Sequence, residues 1–94
     1  MTDYTLTPDL DAQITIALEE VREELVLAYE KFPRFRSAHE GVAIVDEEMR
    51  EFRDAAYWPH QHAPGAEETE ARQLAAMAVR YLIDICFAGS LAPR

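Results

Sequence analysis

Proline interrupts this chain at positions 33, 59 and 64, and the stretches between repeat apolar residues every three or four positions. That punctuation leaves room for three amphipathic helices joined by short connections. The first opens at Thr7, a suitable N-cap, with Pro8 at the first helical position and Asp9 and Asp11 at the positive end of the dipole. Leu10, Ile14, Ala17, Val21, Leu25, Ala28 and Phe32 form a heptad seam that Leu18, Val26 and Tyr29 widen, until Pro33 stops it. Ser37 and Glu40 fit a capping box that opens a second helix, whose apolar stripe is Val42, Val45, Met49 and Phe52. Gly41 costs this helix about 1 kcal/mol relative to alanine and suits a close backbone approach. Prolines and a glycine make residues 57–65 a loop. A third helix then carries Leu74, Met77, Ala78, Tyr81, Leu82 and Ile85, closed by Gly89 as a left-handed cap and by Pro93.

The expected fold is therefore all-α: a single domain over residues 1–94, built as a small antiparallel bundle of helices near 8–32, 38–56 and 66–88. With 94 residues the core is modest, so oligomerisation is expected to complete it. Charged residues make up 29% of the chain against 49% hydrophobic, which suits a soluble globular domain rather than a disordered one. A net charge of -9 disfavours general duplex DNA binding, because phosphates repel such a surface. It does not disfavour a small phosphate ligand carried by cations. No stretch reaches the ~20 apolar residues of a membrane span, and no basic start precedes an apolar signal region, so the expected location is cytoplasmic. Cys86 is the only cysteine and lies in an apolar run, which predicts a buried structural thiol.

The chemistry-bearing residues are acidic. With each helical residue advancing about 100°, Glu51 falls about 40° and Glu48 about 100° from Glu47, so the three carboxylates share one flank of the second helix. Glu48 sits at the margin of the apolar stripe, beside Val45 and Phe52. On the third helix Glu70 continues the line of Met77 and Tyr81, with Gln73 one turn away. Acidic groups crowded this way repel unless water, a basic partner or a cation intervenes, and hard divalent cations select oxygen donors. The same pattern also fits a solvated acidic face. Glu67 and Glu68 read as first-turn acids. The run from Glu19 to Glu24 reads as a solvated face with some i,i+4 pairing to basic groups. His39, His60 and His62 read as solvated, since no thiolate accompanies them. Lys31, Arg34 and Arg36 concentrate positive charge in the connector and could grip phosphates, with Phe35 stacking on a base; salt bridging to a neighbouring helix is the alternative.

Three blocks resemble a known family. Phe32-Pro33-Arg34-Phe35 with Ser37-Ala38-His39-Glu40-Gly41, Glu47-Glu48-Met49-Arg50-Glu51-Phe52, and Glu70-Ala71-Arg72-Gln73-Leu74 are similar to the MazG-like branch of the all-α nucleoside triphosphate pyrophosphohydrolases, especially its small phage and prophage members. The resemblance runs from Phe32 to about Phe87. It implies that Glu47, Glu48, Glu51 and Glu70 hold Mg²⁺ (or Mn²⁺), with catalysis by Glu47 and Glu48. It also implies release of pyrophosphate from a nucleotide, and a homodimer or higher oligomer. The family's final aspartate is Gln73 here, an oxygen ligand without charge. Asp84 does not replace it, because fourteen residues of helix separate it from Glu70, ~21 Å, too far for one metal cluster. The neutral Gln73 keeps two alternatives in view: a nucleotide-binding module without turnover, and an acidic helical module that meets a basic protein.

Overall fold

The computed structural model describes residues 6–88, so the expected cap at Gly89 and stop at Pro93 lie outside the described residues. Three helices account for most of the chain: α1 (Pro8–Lys31), α2 (Ala38–Tyr57) and α3 (Ala66–Tyr81). A single 3-10 turn, Pro59–Gln61, lies in the loop between α2 and α3. No strand occurs among the described residues, and no described helix is long and apolar enough to cross a membrane.

The helix starts follow from local chemistry. The Thr7 hydroxyl accepts from the Leu10 backbone N–H at 3.1 Å, and Ser37 does the same for Glu40 at 3.1 Å. The return half of the capping box is displaced by one residue. Glu40 Oε1 accepts from the Arg36 backbone N–H at 3.0 Å rather than from Ser37. At Gly65 a φ of 84° precedes α3, a left-handed turn that glycine adopts without strain.

Pairings between elements set the helix directions. Arg72 reaches Glu20 at 2.8 Å, while Asp84 meets Tyr29 at 2.7 Å, so α1 and α3 run the same way. Gly41 approaches Tyr81, whereas Glu51 lies by Glu70, so α2 runs opposite to α3. α3 packs against both α1 and α2, which barely meet each other. The centre of the bundle is small: Ala28, Phe35, Ala76 and Met77, with Val21, Leu25, Ile44, Val45, Tyr81 and Ile85 packed around them.

Four expectations are corrected here. The stripe on α2 is rotated: Val42 is 57% and Met49 39% exposed, while Gly41 and Ala55 are buried. The inward line is Gly41, Val45, Glu48 and Phe52, which fall within about 60° on a helical net. Gly41 is the reason, because its missing side chain admits the rings of Tyr81 and Phe35. Phe32, placed in the seam of α1, is instead 58% exposed, and Leu18 and Val26 also face out. The third helix is not α throughout: Leu82–Cys86 widen into a π-helix, with the Phe87 N–H donating to Leu82 O at 3.0 Å. Cys86 is exposed rather than buried.

A Cβ at Gly41 would lie 2.6 Å from Tyr81 Cδ2 and 3.1 Å from Phe35 Cδ2. Alanine improves helix propensity by about 1 kcal/mol, but overpacking costs about 1–3 kcal/mol. Gly41→Ala is thus expected to lower the Tm, at ~4–8 °C per kcal/mol for a domain this small. A thermal melt followed by circular dichroism checks this; an unchanged or higher Tm would contradict the close packing.

Beneath the connector sits a buried ionic cluster. The Asp84 carboxylate has no exposed side-chain area. It accepts from the Tyr29 hydroxyl at 2.7 Å and from the Phe35 backbone N–H at 2.8 Å. Arg80, also buried, donates to Pro33 O at 2.6 Å and lies over the Phe35 ring, 4.2 Å from its centroid. Burial first, and then the bond to Asp84, push the Tyr29 hydroxyl up to about 12, so it stays a donor at physiological pH. These contacts tie α1, the connector and the end of α3 into one corner.

Candidate metal centre and adjoining cleft

The rotated α2 carries Glu48 inward, and the alignment of α3 does the same for Glu70. Carboxylate oxygens of Glu48, Glu51 and Glu70 all lie within 4.8 Å of one another. Glu48 Oε2 and Glu70 Oε2 are buried and have no hydrogen-bond partner. Such oxygens are costly unless something positive meets them. Burial is the main cause that holds the Glu48 carboxyl above the usual range, with Glu51, Glu70, Glu47 and Glu24 adding repulsion. Glu70 is raised by burial first and by Glu51 second, while His62 works the other way. Three carboxylates without thiolate or imidazole form an all-oxygen donor set, which suits Mg²⁺ or Mn²⁺ better than softer metals. The two orphaned oxygens are what a cation of that kind would occupy.

Beside this cluster a cleft of about 520 Å³ opens between α1 and α2, with α3 as its floor. Glu48 belongs to both features. Glu47 lies outside the three-carboxylate group and lines the cleft together with Glu48 and Gln73. Lys31 lines it as well.

Arg34 and Arg36 do not line that cleft. Arg34 lies 3.7 Å from Asp84 Oδ1, and Arg36 pairs with Glu40 at 3.2 Å. The Arg36 backbone N–H is the chief cause that holds the Glu40 carboxyl below its ordinary range. Phe35 is 6% exposed and built into the core, so its ring is not available to stack on a base. His62 is not simply solvated, since its Nε2 lies 2.9 Å from Asp54 Oδ2.

Two charged cleft residues escaped the sequence reading. Glu24 sits in the acidic run expected to face solvent, yet it lines the cleft and lies 3.7 Å from Arg72 Nε. Arg72 also reaches Glu20 at 2.8 Å, so the acids of α1 pair across to α3 instead of along their own helix. The signal was present: Glu24 falls three residues after Val21 and four before Ala28, both inward-facing. Arg80 likewise follows Met77 by three, at the edge of the α3 core line.

No protein-family model matches this chain, and neither a curated protein nor a solved structure is significantly similar to it.

Proposed function

We propose that this chain is a MazG-like, divalent-cation-dependent nucleotide pyrophosphohydrolase, releasing pyrophosphate from a nucleoside triphosphate. The observation that carries the reading is the convergence of Glu48, Glu51 and Glu70 from two helices, with two buried oxygens unpartnered, at the edge of a cleft. Glu48, Glu51 and Glu70 would hold the cation, and Gln73 offers a neutral oxygen nearby. A bound Mg²⁺ or Mn²⁺ supplies a Lewis acid that offsets phosphoryl charge and makes nearby water more acidic.

The cleft residues account for the rest. Water attacks the α-phosphorus, the bond from that phosphorus to the α,β-bridging oxygen breaks, and pyrophosphate leaves a nucleoside monophosphate behind. Glu47, outside the cluster and exposed on the cleft wall, receives the proton of the attacking water. Lys31, which lines the cleft beside Phe32, adds positive charge that attracts the anionic ligand. Exposed apolar side chains along α1, including Ile14, Ile16 and Leu18, support a homodimer or higher oligomer.

Incubation with a panel of nucleoside triphosphates and Mg²⁺ is expected to give pyrophosphate and monophosphate in equal amounts, and a chelator is expected to abolish both. Orthophosphate as the product, or turnover that persists in chelator, would contradict the mechanism. Gln73 favours a second reading, a nucleotide-binding module without turnover. Metal-dependent nucleotide binding by calorimetry with no product would select it.

A further inference from the structure

We infer that Phe32 is the stacking platform for the nucleobase, so that the ligand lies in the cleft with its base at the connector end and its phosphates at the carboxylate end. This rests on the nucleotide reading above and assigns its specificity element. All three helices give the cleft the same polarity. On α1 it is lined by Glu24 and Phe32, on α2 by Glu48 and Glu40, and on α3 by Gln73 and Arg80. In each pair the first residue stands toward the carboxylate cluster and the second some 10–12 Å away along the helix axis. That span is comparable with an extended nucleoside triphosphate. At the connector end Leu27, Phe32 and Pro33 line it with carbon, beside the charged groups of Lys31, Glu40 and Arg80.

Phe32, the C-cap residue of α1, is 58% exposed. Its backbone is nevertheless held in place. The Phe32 backbone N–H donates to Ala28 O at 2.9 Å, and the next carbonyl, Pro33 O, accepts from Arg80 at 2.6 Å. The Arg80 guanidinium lies over the ring, 5.9 Å from its centroid, and both side chains line the cleft. A flat heteroaromatic base stacks on the exposed part of this ring. Stacking of this kind tolerates any base, since each presents a π face. The inference therefore includes weak discrimination among bases.

The test is calorimetry in Mn²⁺, comparing non-hydrolysable analogues of the four deoxynucleoside triphosphates with inorganic tripolyphosphate. Phe32→Ala is expected to weaken every nucleotide about tenfold or more, to leave tripolyphosphate affinity unchanged, and to fold normally because the ring is exposed. Phe32→Trp is expected to restore nucleotide affinity. If Phe32→Ala weakens nucleotide and tripolyphosphate equally, or neither, the platform is overturned while the nucleotide reading stands. A change of oligomeric state by light scattering with nucleotide affinity intact overturns it too. If the wild type binds neither ligand, the nucleotide reading itself falls and takes this inference with it.

Discussion

Asp84→Ala is expected to destabilise the fold by about 3–5 kcal/mol. The carboxylate accepts from Tyr29 and Phe35 and faces the buried guanidinium of Arg80, whose Nε lies 4.0 Å from Asp84 Oδ2. Deleting it leaves two donors unsatisfied and a buried cation uncompensated, and the second effect dominates. Small domains hold only about 5–15 kcal/mol in total, so the variant should lie close to unfolding at physiological temperature. Asp84→Asn keeps an acceptor for Tyr29 and Phe35 but loses the charge, and should fall between wild type and alanine. Urea titration measures both. Equal stability of Asp84→Ala and wild type would mean that Arg80 is not held by this ion pair.

Glu48→Gln is expected to have opposite effects on activity and on stability without metal. Mutating even outer-shell partners of metal ligands typically costs about 10–100-fold in affinity or activity, so loss of a direct ligand should reduce pyrophosphate release by at least ~100-fold. Without metal the same change removes one of three clustered charges, so the variant should melt higher than wild type at neutral pH. The pH dependence gives the sign. Glu48 and Glu70 are raised in the folded state from an ordinary value of 4.5. The folded chain therefore binds protons more readily than the unfolded chain between 4.5 and the raised values. Their contribution is fully present below 4.5 and is lost as pH rises through the folded values. Metal-free wild type should gain stability on mild acidification from neutral pH, and Glu48→Gln should flatten that slope. Glu40, which is lowered, acts in the other direction but only below 4.5, outside this window. A variant that melts lower than wild type in chelator would show that Glu48 is held by a partner within the protein rather than awaiting a cation.

The helical architecture was legible because its determinants are local. Thr7, Pro8, Pro33 and Ser37 set helix boundaries within a residue or two, and the three-and-four apolar spacing marked each helix. The acid cluster was legible in part. Glu70 was conspicuous because it continues a core line, and Glu48 because it borders one. The rotation of α2 was not visible, since it depends on rings of Tyr81 and Phe35 approaching Gly41 from other segments. The same non-local packing hid Glu24, whose role depends on how α1 lies on α3. The connector misled for a related reason. Its aromatic and basic residues suggested a ligand grip, yet Phe35 is core and Arg34 faces Asp84, a partner 50 positions away in the chain. Asp84 lies apart from the carboxylate cluster, as its distance along the helix implied, but its role in the buried corner needed that long-range pairing.

The most direct test of the central claim is a crystal of the full chain soaked in Mn²⁺ and measured for anomalous scattering. The expected result is a peak between α2 and α3, bonded by oxygens of Glu48, Glu51 and Glu70. A map with no peak there, or with those three side chains turned apart into solvent, would contradict it.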